Sequence, residues 1–280
     1  MRAASERARD ASAHLRWHQA LRRRIPECAA ESRVRGAWAS AELDGARGNI
    51  DIVRDLMRGA RPRSAEPDPA ERVLHGAMAA TAATEELATT ARGAPRRTLA
   101  RLHLAAAAEL VDEAHLGRPR TEAGPPITNA PGRGAGDAAV VDEFAALGPA
   151  PPASDLLPRL AALDQILAAD DLPALLVVAI THGELATMRP FDRGNGLVAR
   201  AMDRALLRAT GLDPTGVVVI EAGHGSGGIA GYHGALAAYA QASLVGLLVW
   251  LDHCADAVVA GAADGTAIAD AVLAGRLRPG

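Results

Sequence analysis

Aromatic side chains are so scarce in this sequence that the protein interior has to be built from smaller residues. Hydrophobic residues make up 49% of the 280 positions, but phenylalanine, tryptophan and tyrosine together make up only 2%. Alanine, leucine and valine must therefore supply most of the core, and such residues favour closely packed helices. The composition predicts an all-α protein that is long enough to bury a sizeable core.

The basic and sulfur-containing residues exclude several kinds of chemistry. All 30 basic residues are arginines, because the sequence contains no lysine. Neither a lysine Schiff base nor the lysine of a P-loop is therefore available. A net charge of −3 without a basic stripe argues against nucleic acid as a partner. Cys28 and Cys254 lie far apart in the sequence and indicate no disulfide framework, and no metal ligands are predicted.

The apolar stretches of the chain are short. Neither LPALLVVAI nor SLVGLLVWL reaches the roughly 18 apolar residues that a membrane span requires. The N-terminus, MRAASERARD, is charged where a signal peptide would be apolar. We therefore expect a cytoplasmic protein without a membrane partner. The oligomeric state stays open, and a homo-oligomer remains an alternative to a monomer.

Hydrophobic periodicity divides most of the chain into helices. They are predicted over residues 4–24, 34–58, 70–91, 96–116, 154–169, 170–188 and 197–210. The helix at 170–188 is apolar all round in its first turns, so we expect it to be central and buried, with Asp171 as its N-cap. The helix after it carries Arg200, Arg204 and Arg208 on a face that we expect to point towards solvent.

Two segments interrupt this helical pattern. Residues 117–152 are rich in glycine and proline, which is typical of a loop or hairpin. Residues 215–223, TGVVVIEAG, are typical of a strand when taken alone.

The segment MRPFDRGNGLVAR, residues 188–200, carries the strongest functional signal. Phe191 is one of only two phenylalanines, and it lies in a tight break between two apolar helices, which indicates a shaped pocket. Gly194-Asn195-Gly196 begins a helix, where backbone N–H groups and the helix dipole favour a bound anion. Arg200 can reach back towards the same anion. This pattern predicts a phosphate cradle, although the glycines of a plain helix–loop–helix turn would look the same.

This segment resembles the signature of the Fic (Fido) family, His-x-Phe-x-(Asp/Glu)-Gly-Asn-Gly-Arg-x-x-Arg. HGELATM resembles the helix before the family loop, and GYHGALAAYAQASLVGLLVWLDHC resembles its closing helices. The resemblance implies a helical Fic-like domain at residues 70–265, an N-terminal helical region at 1–69 and a C-terminal tail at 266–280. It also implies ATP or another nucleotide as ligand, and transfer of AMP to hydroxyl groups of a protein target.

A second resemblance concerns the N-terminal region. Fic proteins with a built-in inhibitory helix carry (Ser/Thr)-x-x-x-Glu-(Gly/Asn), and SAELDG places Ser40, Asp44 and Gly45 in this spacing. The resemblance implies that Asp44 faces Arg200 and restricts placement of the nucleotide, while a polar helix face is the alternative. It also implies a short β-hairpin flap that holds the target, for which residues 119–134 are the candidate.

The departures from the family signature fall on the residues that carry chemistry. Arg189 replaces the histidine that acts as general base, and an arginine cannot accept a proton. Arg193 replaces the acidic residue that holds Mg²⁺, so a role for Mg²⁺ is doubtful. Arg189 and Arg193 are instead candidates to neutralise bound phosphates without a metal, with surface arginines as the alternative. Asp192 would substitute only after a shift of the loop, and Leu197 replaces the first arginine. The residues that shape the cradle are retained, namely Phe191, Gly194, Asn195, Gly196 and Arg200.

Three functions are therefore open. The first is a divergent Fic protein that binds a nucleotide or phosphate ligand without ordinary AMP transfer. The second is an active nucleotidyl- or phosphotransferase with another base, for which His182 lies too far down its helix and is better interpreted as structural. The third is a dinucleotide-dependent oxidoreductase that uses Gly223-x-Gly225-x-x-Gly228 after a strand, with Asp252 as the ribose ligand.

Overall fold

The computed structural model describes residues 1–121 and 144–277, which form α-helices and short turns without a β-strand. The all-α class expected from the composition is confirmed. The region proposed for a β-hairpin flap, 119–134, lies almost wholly outside the described residues. The α-helices within the described residues are α1 (Arg2–Arg16), α2 (Ile25–Leu43), α3 (Ile50–Met57), α4 (Pro69–Leu87), α5 (Pro95–Ala106), α6 (Leu156–Ala168), α7 (Ala174–Met188), α8 (Asn195–Ala209), α9 (Ile220–Gly225), α10 (Ile229–Ala240) and α11 (Leu244–Leu273).

Helices α7 and α8 form the centre of the molecule. The side chains of α7 are apolar on nearly every face, and most of them are buried. Such a helix is stable only when other helices surround it. It packs directly against α8 and α10. The long helix α11 packs on another side of α7, where the indole N–H of Trp250 donates to the carbonyl of Ala179 at 2.7 Å. The helix predicted at 170–188 is therefore central.

Small residues allow the helices to approach each other closely. A β-carbon at Gly223 of α9 would lie 2.0 Å from the carbonyl oxygen of Ala257 in α11. A β-carbon at Gly76 of α4 would lie 2.1 Å from the carbonyl oxygen of Ala106 in α5. Neither position has room for a side chain, since atoms in a packed interior already stand at contact distance. Because the helices lie so close together, the interior is filled without large aromatic side chains.

Several local expectations were wrong. Residues 215–223 do not form a strand, because Val217 to Val219 lie against α11, where the Val219 N–H donates to the carbonyl of Gly261 at 3.0 Å, and α9 begins at Ile220. Asp171 does not cap α7, since Pro173 occupies the N-cap position. The helix predicted at 96–116 ends ten residues early, at Ala106.

Two of the three arginines of α8 were also placed wrongly, whereas the third, Arg208, is half-buried. Arg200 and Arg204 are 0% and 3% exposed, because carboxylates from other elements lie opposite them inside the molecule. Arg204 forms a bidentate pair with Glu221 of α9, with distances of 2.8 Å from Nε to Oε1 and 2.7 Å from Nη2 to Oε2. Its Nη1 also donates to Oγ of Ser32 in α2 at 3.0 Å. Arg204 therefore joins α2, α8 and α9.

Helix α11 is long and apolar enough to cross a membrane by length and composition alone. A central helix of an all-helical domain has the same two properties, and here α11 packs against α1, α2, α7, α9 and α10. The domain boundary proposed at residue 265 falls inside this helix, which continues to Leu273. Residues 266–273 are thus continuous with the helical core.

Candidate functional site

The loop between α7 and α8 has a left-handed backbone at both ends. Arg189 has a φ of 44° and Gly194 a φ of 75°. Glycine adopts this conformation freely, but a long side chain does so at a cost. The Arg189 N–H still donates to the carbonyl of Leu185 at 3.0 Å, as in the last turn of a helix. These two residues reverse the chain sharply between two buried helices.

Asn195 holds this loop in shape from inside. Its Oδ1 accepts from the N–H of Phe191 at 2.9 Å, and its Nδ2 donates to the carbonyl of Phe191 at 2.9 Å. The ring of Phe191 stacks on the imidazole of His103, with centroids 3.9 Å apart. The side chains of Asn195 and Phe191 are buried, and their contacts fix the conformation of the loop. Contact of Phe191 or Asn195 with a ligand stays a prediction.

His103 joins the loop to α5 in its neutral form. Its Nδ1 accepts from the N–H of Gly117 at 2.8 Å, so the proton is on Nε2, which donates to the carbonyl of Arg193 at 3.1 Å. Burial lowers the pKa of His103 to about 4. A charged imidazole would lose the bond from Gly117. The sequence analysis missed this residue, because it lies 90 positions before Arg193.

Arg189, at the position of the family histidine, is buried and 5% exposed. Its Nη2 donates to the carbonyl of Gly148 at 2.8 Å. Its backbone carbonyl accepts from Nε of Arg120 at 2.8 Å, which satisfies one of the free carbonyls at the end of α7. Arg189 also borders a cavity of about 670 Å³, together with Arg159, Glu184 and other residues of α6, α7 and α10 to α11. A permanently charged guanidinium occupies this position, and it cannot act as a base.

The other loop residue considered for metal binding is also engaged. Oδ2 of Asp192 lies 2.5 Å from Nδ1 of His115. This hydrogen bond holds the carboxylate of Asp192 against His115. Arg193 is only half-buried, and its backbone carbonyl is bonded to His103.

Arg200 lies at the centre of the site and connects it to α2. Its Nε donates to Oγ of Ser40 at 2.9 Å, and its Nη2 donates to the carbonyl of Ser40 at 3.0 Å. Nη2 also lies 2.5 Å from Oδ1 of Asp44, the residue that ends α2. Gly45 follows with a φ of 85°, which terminates the helix. The structure therefore places Ser40 and Asp44 against Arg200.

The carboxylate of Asp44 lies over the first turn of α8. A β-carbon at Gly196 would lie 2.9 Å from Oδ1 of Asp44 and 2.9 Å from Nη1 of Arg200. Only a glycine leaves space for these groups so close to the helix. The positive end of the helix dipole and the guanidinium both face this carboxylate. The carboxylate of Asp44 therefore occupies the space beside Gly196 at the start of α8.

The structure also brings together residues that the sequence analysis did not connect. His182, Asp203 and His224 come from α7, α8 and α9 and form one buried hydrogen-bonded cluster. Tyr232 of α10 completes it, with its hydroxyl 2.7 Å from Nε2 of His182. His182 is fully buried in this cluster, away from the loop at 189–194. The dinucleotide-binding interpretation was wrong about its framework, since Gly223 and His224 lie within α9 and no strand precedes them.

Comparison with known proteins identifies the fold. No protein-family model and no curated protein matches the sequence. Solved structures do match. A Fic family protein from Desulfovibrio desulfuricans G20 aligns with a TM-score of 0.67 and 20% identity over 99% of this chain and 76% of that chain.

Two further structures give the same result. Fic-1 from C. elegans aligns with a TM-score of 0.63 and 15% identity over 93% of this chain and 71% of that chain. A Fic domain containing signaling protein from Bacteroides thetaiotaomicron VPI-5482 aligns with a TM-score of 0.61 and 14% identity over 95% of this chain and 98% of that chain. The helical architecture described above is therefore the Fic fold.

Proposed function

We propose that the protein binds the phosphate groups of a nucleotide at the start of α8 and does not transfer AMP by the usual route, so that it acts as a regulator. One observation carries the proposal: Asp44, Gly196 and Arg200 meet at the helix N-terminus. The carboxylate of Asp44 supports the proposal, because a phosphate oxygen is also negatively charged and accepts the same hydrogen bonds.

The loss of transfer is argued from the loop. A general base must accept a proton from the hydroxyl group that attacks the nucleotide. The guanidinium of Arg189 cannot do so, and it is bonded to the carbonyl of Gly148. Arg193 stands where the family has the acidic residue that holds Mg²⁺, and the neighbouring Asp192 is bonded to His115. Binding without transfer is the function that these residues support.

A ligand at this site has to compete with Asp44. Nucleotide phosphate and the Asp44 carboxylate would use the same guanidinium and the same helix N-terminus. We therefore expect weak binding to the wild-type protein and tighter binding when the charge of Asp44 is removed. Asp44→Asn keeps the size of the side chain and removes only the competing charge.

Isothermal titration with ATP, ADP and GTP, with and without Mg²⁺, tests this expectation. Asp44→Asn should bind at least about tenfold more tightly than wild type, which corresponds to about 1.4 kcal/mol. Asp55→Asn makes the same change of net charge at the surface, where Asp55 is paired with Arg58, and should leave the affinity unchanged. The double variant Asp44→Asn with Arg200→Gln should lose binding. No binding of any nucleotide to wild type or to Asp44→Asn would contradict the proposal.

The second half of the proposal is tested separately. Labelled ATP incubated with the protein and a cell lysate should leave no label on protein. Incorporation that requires Asn195 and Arg200 would instead support an active transferase. The double variant Arg189→His with Arg193→Asp restores two residues of the family signature. Transfer that appears only in this variant would show that the two arginines are the reason for its absence in wild type.

A further inference from the structure

Three titratable side chains meet in the interior behind Arg200, away from the loop at 189–194. His182, Asp203 and His224 offer ligand atoms that all lie within 4.8 Å of one another. Nδ1 of His182 lies 2.5 Å and Nε2 of His224 lies 2.9 Å from Oδ2 of Asp203. Each of the three side chains is exposed by 1% or less. Two imidazoles and one carboxylate are thus buried together at the junction of three helices.

Among the described residues no arginine is hydrogen-bonded to the carboxylate of Asp203, although the charge of Arg200 acts on it from nearby. Within residues 1–121 and 144–277, the hydrogen-bond partners of Asp203 are two imidazoles, and its buried Oδ1 has none. Arg200 is bonded to Asp44, and Arg204 is bonded to Glu221. A buried carboxylate oxygen without a hydrogen bond is costly, and a cation bound at this carboxylate would offset that cost.

The outer nitrogen of each histidine is already held by a neighbour. Nε2 of His182 lies 2.7 Å from the hydroxyl of Tyr232, and Nδ1 of His224 lies 3.2 Å from Nε2 of His253. Histidines that ligate a metal almost always donate the other ring N–H to an acceptor, usually a carboxylate, a backbone carbonyl or water, which fixes the orientation of the ring. With a metal on the inner nitrogens, His182 would donate to Tyr232 and His224 would donate to His253. The groups that orient the two candidate ligands are in place.

We propose that His182, Asp203 and His224 bind one divalent transition-metal ion, and that Zn²⁺ is the ion that fits these donors. Imidazole nitrogens and carboxylate oxygens are ordinary ligands of zinc. Bonds of about 2.0–2.1 Å place tetrahedral ligand atoms roughly 3.3 Å apart, so small rotations of the three side chains bring them onto one ion. Three protein ligands leave one position for water. The ion links α7, α8 and α9 one turn beyond Arg200, and its role is to hold these helices together.

Metal analysis of the full chain, produced without a polyhistidine tag, tests the proposal. The protein is analysed as purified, then stripped with a chelator and titrated with Zn²⁺ or Co²⁺. We expect about one Zn²⁺ per chain and a melting temperature that rises when Zn²⁺ is returned. Bound Co²⁺ should give the visible absorption bands of a tetrahedral site. A stripped protein that melts at the same temperature with and without Zn²⁺, and that gives no Co²⁺ bands, would overturn the proposal.

Variants separate metal binding from simple packing. Asp203→Asn should lower Zn²⁺ affinity by at least about tenfold, since it removes the anionic ligand. His253→Gln changes no ligand and should lower the affinity about 10- to 100-fold, because it alters the partner of His224. His75→Gln is the matched control, since His75 is buried and bonded to Glu109 on another side of the molecule. If Asp203→Asn does not fold, the Zn²⁺ affinity of His253→Gln still tests the proposal. Equal affinity in His253→Gln and His75→Gln would contradict the assigned ligands.

Discussion

The buried pair between Arg204 and Glu221 gives a stability prediction whose size follows from the structure. The two side chains are 3% and 1% exposed, and they share two hydrogen bonds of 2.8 and 2.7 Å. Glu221→Gln keeps the shape of the side chain but leaves a positive charge in the interior. Removing one partner of such a pair costs about 3–5 kcal/mol. That is a large part of the roughly 5–15 kcal/mol that keeps a domain folded.

Urea unfolding measures this loss. With a slope of about 3 kcal/mol per molar urea, the midpoint should fall by about 1 M or more. Glu6→Gln breaks the exposed pair with Arg2 and should change stability by less than about 1 kcal/mol. Replacing both buried partners, by Arg204→Met with Glu221→Leu, should recover most of the loss because no lone charge remains. The reasoning is refuted if Glu221→Gln unfolds at the same urea concentration as Glu6→Gln.

Three further predictions concern the loop and the helix contacts. The pKa of His103 is lowered to about 4 in the folded protein, so on acidification the unfolded chain binds a proton at this residue first. The free energy of unfolding of the wild type should therefore fall by on the order of 3 kcal/mol between pH 6.5 and 4. Urea unfolding of the wild type and of His103→Gln at both pH values measures the difference. Gly223→Ala places a β-carbon 2.0 Å from a carbonyl oxygen and should cost about 1–3 kcal/mol in thermal melts, whereas Gly227→Ala, with open space around it, should not. Asn195→Ala removes both bonds to the Phe191 backbone and should speed hydrogen exchange of the Phe191 amide.

The sequence was informative where the signal is local. The shortage of aromatic residues predicted the helical class, and the apolar run at 170–188 predicted a central helix. The segment at 188–200 led to the Fic fold through its resemblance to a family signature. Each of these inferences depends on residues that are neighbours in the chain, or on a composition that applies to all of it.

The sequence failed where partners are far apart in the chain. Helical periodicity alone placed Arg200 and Arg204 towards solvent, because their partners Asp44 and Glu221 lie 156 and 17 positions away. The contact of Asp44 with Arg200 was implied only by the resemblance to the inhibitory segment, and nothing in the sequence pointed to the pair of Arg204 with Glu221. His182 and His224 each lie 21 positions from Asp203, on different helices. Whether a charged residue is buried depends on the side chains that other helices place next to it. The hydrophobic pattern within one helix does not contain this information.

The face of α2 that meets α8 limits how the cradle can open. Ser32 and Ser40 each contact an arginine of α8, and between them a β-carbon at Gly36 would lie 2.5 Å from Nη2 of Arg204. Moving α2 away from α8 would break hydrogen bonds of two buried guanidinium groups, those of Arg200 and Arg204. If the proposed nucleotide binds, Asp44 is the side chain that has to leave the start of α8, and it lies next to Gly45, whose φ is 85°. Hydrogen exchange should then change at residues 44–46 on nucleotide addition, while the amides around Ser32 stay protected.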